Sequence, residues 1–120
     1  MKIVITAQGM DLDSEVDPRF GRAPQFLVYD LETEVCEAVS NSAARSSGQG
    51  AGVQAAQLIA AQGAGALLTG HCGPKAHQLL SASGVKIYTG VEGLVRDAIA
   101  HYQLGKLSLS DAPDVDGHWS

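Results

Sequence analysis

One stretch, residues 66–76 (ALLTGHCGPKA), limits the folds open to this chain more than any other. Ala66, Leu67, Leu68 and Thr69 make a run short enough for a strand and apolar enough to be covered on both faces. Gly70 frees the backbone to turn. Gly73 and Pro74 read as the N-cap and first residue of a helix, where proline's missing N–H is no loss. A doubly covered strand feeding directly into a helix belongs to an α/β sheet with parallel members. His71 and Cys72 sit in the turn and Lys75 just inside the helix. Main-chain N–H groups and the positive end of a helix dipole meet there, which favours an anion.

The flanking segments extend this unit. Lys2–Ala7 (KIVITA) is a strand, and residues 8–24 are a long loop dense in turn formers. Gln25–Asp30 and Val35–Ser40 are two strands joined as a hairpin through Leu31–Glu34. After the connection NSAARSSGQG, Val53, Ala56, Ile59 and Ala60 fall at helical spacing in 51–62, and Gly63 and Gly65 end that helix. The helix after Pro74 carries Ala76, Leu79, Leu80 and Ser83 on one face and stops at Gly84. Val85–Tyr88 is the last strand. Thr89-Gly90-Val91-Glu92 has the form of a capping box, opening a helix with Val91, Leu94, Val95, Ala98, Ile99 and Tyr102 on one stripe and closing at Gly105.

The order β, ββ, α, β, α, β, α predicts an α/β fold with a five-stranded mixed sheet covered by helices on both faces. The hairpin supplies its antiparallel member. In such a sheet ligands bind beyond the carboxyl ends of the strands. The segment after Ala7, the joint Gly70–Lys75, and Thr89-Gly90 should meet there, joined by the loop holding Gly48 and Gly50. A length of 120 residues fits one domain, expected over 1–105. Residues 106–120 read as a loosely held acidic tail, with Trp119 the side chain best able to pack back.

Charge narrows the function. The net charge is −5, which argues against nucleic acid as partner. No run approaches the ~18 apolar residues of a membrane span. Two cysteines and a strand starting almost at the first residue fit a reduced, cytoplasmic protein. The acids are also unevenly spread. None occurs between Ala38 and Val91, a stretch that holds Arg45, His71, Lys75, His77 and Lys86. A second acid-free window, Pro18–Tyr29, holds Arg19 and Arg22. Such windows mark either buried segments or one positive, glycine-lined face suited to a small anion.

Several motifs carry less than they suggest. Gly48-Gln49-Gly50-Ala51-Gly52 is not a dinucleotide fingerprint, because Val53 stands where glycine or alanine is needed and no strand leads into it. An anion nest opening the helix, or a plain linker, remains. Asp11, Asp13, Glu15 and Asp17 imitate the start of a calcium loop, yet Val16 and Arg22 occupy the required glycine and glutamate positions. They read as a solvated acidic loop. His71, Cys72 and His77 make only a weak zinc pattern. Cys72, if exposed at a helix N-terminus, would favour its thiolate and suit redox, nucleophilic or soft-metal chemistry; buried, it is a small core residue. Cys36, on the hairpin, reads as structural.

Taken together, Asp17-Pro18-Arg19-Phe20-Gly21-Arg22, the helix AGVQAAQLIA, and Gly70-His71-Cys72-Gly73-Pro74-Lys75-Ala76 followed by KIYTG resemble the dinitrogenase iron–molybdenum cofactor biosynthesis family. The likeness covers about residues 1–105, and the small single-domain form is most similar to its molybdenum–copper branch. It implies a ribonuclease H-like motif and binding of an anionic metal–sulfur cluster. The leading expectation is a noncatalytic carrier or store for a molybdenum–copper sulfide cluster, a thiometallate that the residues' charge and N–H donors would hold noncovalently. Carried over by position, Arg19, Arg22, Gly70, Gly73 and Pro74 belong to its binding loops. The residue reading adds Arg45, Gly48, Gly50, His71, Cys72, Lys75 and Thr89. Polyanionic sulfide asks for N–H donors and guanidinium groups rather than carboxylates. The expected partners are the cluster itself and proteins of a delivery or regulatory complex, with the chain a monomer. Two other functions compete: a regulatory module for a phosphate-bearing ligand or protein partner, and a thiol-redox enzyme using Cys72. The second lacks both a C-x-x-C partner and an evident base.

Overall fold

In the computed structural model, residues 1–42 and 50–110 are described. Arg45, Gly48 and the tail beyond Ser110 lie outside them. The sheet contains β1 (Lys2–Ala7), β2 (Gln25–Asp30), β3 (Cys36–Ser40), β4 (Ala66–Leu68) and β5 (Lys86–Tyr88), in the order β3-β2-β1-β4-β5. β1 runs parallel to β4 and β4 to β5, while β2 is antiparallel to both β1 and β3. The mixed five-stranded α/β sheet is therefore as expected. Three helices cover it among the described residues: α1 (Ala51–Ala61), α2 (Pro74–Ala82) and α3 (Val95–Gln103).

The layering follows from connection handedness. The crossovers β3 to β4 and β4 to β5 step across the sheet in the same direction, so right-handedness puts α1 and α2 on one face. Val4, Leu67 and Ile87 meet Phe20, Ala55, Ile59 and Leu80 there. The neighbouring positions Ile3, Ile5 and Leu68 point to the opposite face and meet Val95, Ala98 and Ile99 of α3. Residues Ile3–Ile5 of β1 and Ala66–Leu68 of β4 are thus apolar without alternation because both faces are covered. At the hairpin, Asp30 accepts hydrogen bonds from the Glu32 and Thr33 amides at 2.9 and 3.3 Å. These two amides, Glu32's first, hold its carboxyl below the usual range. Glu34 takes the left-handed turn position, with φ 62°.

One element departs from the sequence reading. The capping box at Thr89–Glu92 opens no helix; α3 starts at Val95 with Leu94 as N-cap. Gly90 and Gly93 lie at φ 73° and 90°, outside helical geometry. The amides that a helix start leaves unpaired are taken by the long loop: Val95 N–H donates to Ser14 O and Arg96 N–H to Leu12 O, both at 2.9 Å. Val16 N–H donates to Gly93 O, and Glu15 bridges Leu94. Pairing with residues 12–16 outcompetes the local capping signal.

Of the segment 106–120, Leu109 and Ser110 lie against β5. Leu109 bridges Tyr88, Ser110 N–H donates to Ile87 O at 2.7 Å, and Ser110 O lies 3.3 Å from His77 Nε2. Ending the chain after Lys106 removes these bonds. Denaturant unfolding is expected to show a loss of about 1–3 kcal/mol; an unchanged midpoint would mean that the segment contributes nothing.

Candidate functional site

α1 leads into β4 and α2 leaves it, so both helices present their N-termini at the carboxyl end of β4. Both helices start at a glycine N-cap. Gly50 caps α1 in a left-handed conformation (φ 86°) and Gly73 caps α2, in neither case with a side-chain hydrogen bond. Neither helix has an acid in its first turn, whereas α3 has Asp97 there. Pro74 stands at the start of α2, as its fixed φ predicts. Two N-termini without carboxylates leave their dipoles unopposed at one end of the sheet.

The loop from β1 closes over this end. His71 N–H donates to Pro18 O at 2.7 Å and Phe20 N–H to His71 O at 3.3 Å, so that Arg19 and His71 pair as a parallel bridge. Gly70 makes the approach possible: a Cβ there would stand 2.6 Å from Pro18 Cα and 2.7 Å from its oxygen. On the other side Gly90 N–H donates to Gly70 O at 2.8 Å, which brings Thr89 alongside. Residues 20–22 form a 3-10 turn with Arg22 at its end, packed against α1 through Phe20. The structure thus gathers Arg19, Arg22, Gly70, His71, Gly73, Lys75 and Thr89 at one end of the sheet, with Gly50 opening α1 toward it. Arg19 and Lys75 are exposed, and His71 and Arg22 partly so.

Cys72 is placed differently from a thiol on the rim. It is 0% exposed and belongs to the apolar cluster under α1 and α2, its Sγ 3.8 Å from Gly73 O. The exposure that would favour its thiolate is absent. Cys36 is half-buried on β3; burial, and secondarily the charge of Asp11, push its thiol pKa up. His77 is engaged away from a His71–Cys72 pair, with Ser81 Oγ 3.4 Å from Nδ1 and Ser110 on the Nε2 side. Among the described residues no three His, Cys, Asp or Glu side chains converge as a metal cage.

Four side chains beneath the site carry no role in the sequence reading. Asp17, read as part of a solvated acidic run, is buried, and its Oδ1 accepts the Arg19 amide at 2.9 Å. The Asp-Pro dipeptide was its signal, being a frequent turn opener. Thr6 and Thr69 are buried at the strand ends, their hydroxyls 2.9 Å apart. In both segments a threonine follows the apolar run Ile3–Ile5 or Ala66–Leu68, and the register Ile5–Leu68 makes those threonines neighbours. Asn41, also buried, donates to Gly21 O and Ala23 O and steadies the 3-10 turn.

Comparison with known proteins decides the family. The sequence profile for "Dinitrogenase iron-molybdenum cofactor" matches residues 1–105. The chain belongs to that family. Among solved structures, the apo orange protein of Desulfovibrio gigas matches with 46% identity and a TM-score of 0.92, over 95% of this chain and 96% of that one. A Thermotoga protein assigned to NifB matches at 30% identity and a TM-score of 0.77, over 95% and 98%. A Methanocaldococcus jannaschii protein assigned as a dinitrogenase shares the fold, with a TM-score of 0.68 at 20% identity over 94% and 97%. No curated protein matches the chain. Membership of this family and likeness to the orange protein fit a cluster-binding role. No helix among the described residues is long and apolar enough to cross a membrane.

Proposed function

We propose that this protein carries or stores an anionic molybdenum-containing sulfide cluster, of the molybdenum–copper type, held noncovalently and without catalysis. The observation that carries the reading is the pair of helix N-termini lacking both acids and side-chain caps, at the same strand end as Arg19, His71 and Lys75. Such a rim offers N–H donors and positive charge, which stabilise a polyanion. A thiometallate arrives with its metals already bound to sulfide, the ligand molybdenum and copper prefer, so it needs no cage of protein side chains. The rim fits that cargo better than a bare metal ion, for which the described residues supply no converging donor set. In this reading the described rim residues Arg19, Arg22, Gly50, Gly70, His71, Gly73, Lys75 and Thr89 face the cluster. The chain acts as a cytoplasmic monomer that hands its cargo to a protein partner.

The test is reconstitution. Mixed with tetrathiomolybdate and a copper salt and then desalted, the protein is expected to keep a visible absorption band and both metals at a fixed ratio to protein. Colourless, metal-free protein under several reconstitution conditions would overturn the proposal. Retention of inorganic phosphate instead would favour the regulatory module.

A further inference from the structure

We propose that Thr69, Thr6 and Asp17 form a buried positioning relay that sets Arg19 against His71, with Asp17 serving as a hydrogen-bond acceptor rather than as a charge. Its consequence for cargo rests on the cluster-binding reading; its structural content does not. The starting point is an anomaly. A carboxylate beside a site for a polyanion opposes binding, yet Asp17 is 6% exposed and immediately precedes the acid-free window that holds Arg19 and Arg22.

Its bonds explain its presence. The main chain of Asp17 is gripped twice by Thr6: Asp17 N–H donates to Thr6 O at 2.9 Å, and Thr6 Oγ1 donates to Asp17 O at 2.8 Å. A hydroxyl has one proton to give, so the 2.9 Å contact between the two threonines is Thr69 donating to Thr6 Oγ1. From Asp17 the connection divides. Oδ1 takes the Arg19 amide at 2.9 Å, and the next carbonyl, Pro18 O, takes the His71 amide at 2.7 Å. His71 stands two positions after Thr69 in the chain, so the circuit closes on the segment that follows β4, where it began. Both threonines are fully buried, where a lost partner leaves an unsatisfied polar group. Each link is an N–H or O–H donating to an oxygen, and the link to the Asp17 side chain, the Arg19 amide on Oδ1, requires an acceptor oxygen that a neutral amide also provides.

That distinction is testable with the full chain. In cargo-free protein, Thr6→Val is expected to speed amide hydrogen exchange at Arg19 and His71 about 10-fold or more relative to Val4 and Val28, with Thr6→Ser restoring protection. Asp17→Ala is expected to expose the Arg19 amide in the same way. Asp17→Asn keeps an acceptor oxygen and is expected to exchange like the parent. With tetrathiomolybdate and copper as probe, Asp17→Asn should bind as tightly as the parent or tighter, and Asp17→Ala about 10-fold more weakly. Equal loss of protection in Asp17→Asn and Asp17→Ala would overturn the acceptor role. Unchanged exchange at Arg19 and His71 in Thr6→Val would overturn the relay. If Thr6→Val does not fold, the two Asp17 variants still decide. Failure of the parent to take up the probe would count against the proposed cargo alone, because the exchange measurements involve none.

Discussion

Gly70→Ala is expected to cost about 3 kcal/mol of stability, a fall in Tm of roughly 10–15 °C for a domain of this size. The methyl group would stand 2.6 Å from Pro18 Cα and 2.7 Å from Pro18 O, closer than Cβ atoms come to backbone. Pro18 cannot swing aside as a long side chain would. Its carbonyl accepts the His71 amide, and the preceding residue is tied to Thr6. Relief must therefore come from lifting the whole 17–20 segment, which separates Arg19 from His71. The effect should reach beyond stability: any variant protein that remains folded should bind tetrathiomolybdate and copper more weakly than the parent at equal folded concentration. Gly84→Ala provides the comparison, since its φ of 81° strains alanine but its Cβ would meet nothing within 4 Å. It should lose about 1 kcal/mol and leave the site intact. Equal losses at the two positions would show that backbone preference, not the approach of Pro18, governs Gly70.

What was legible in the sequence follows from how local its causes are. The run Ala66–Thr69, the glycine after it and Pro74 are signals carried by a few adjacent residues, and the structure uses each in place. The hairpin Leu31–Glu34 is equally local, set by Asp30 and its turn amides. The start of α3 was misread because Thr89–Glu92 satisfies a local rule that tertiary contacts override: the carbonyls of Leu12 and Ser14 cap the helix one turn later. A cap supplied by backbone from a distant loop leaves no residue-type signature.

The rim was partly legible for the same reason. Charge and glycine distribution singled out Arg19, His71, Lys75 and the helix starts, because a gap in acidic residues can be read directly from the chain. The supports beneath them were not. Asp17 looks like its solvated neighbours Asp11, Asp13 and Glu15, and only the path of the chain shows that it turns inward. Cys72 misled in the opposite sense. A thiol at a helix start suggests reactivity, but the side chain turns from the rim into the cluster formed with Phe20 and Ala76. The sequence marked the joint, and packing decided which of its side chains face out.

That division bears on how the cargo is held. Two accounts compete, a Cys72–metal bond and a noncovalent rim of charge and N–H donors. Cys72 at 0% exposure would have to leave its cluster to reach a metal, and one thiolate would coordinate only a fraction of a polynuclear sulfide. Arg19 and Lys75 are exposed at the rim and can be removed with little effect on the core; Arg22 already interacts within the protein, so its replacement would mix binding with stability. Each charge-assisted hydrogen bond contributes about 1.5–3 kcal/mol when partly buried and less when exposed. Arg19→Ala combined with Lys75→Ala is therefore expected to weaken uptake of tetrathiomolybdate and copper about 100-fold. Binding by the parent should weaken as salt rises, because exposed charges are screened, and the double variant should show a shallower dependence. Cys72→Ala should lose about 1–2 kcal/mol of stability from the cavity it leaves while taking up the cluster as the parent does. Circular dichroism must first show both variants folded. A colourless Cys72→Ala protein beside a normally coloured double variant would make the thiolate a true ligand and end the electrostatic account.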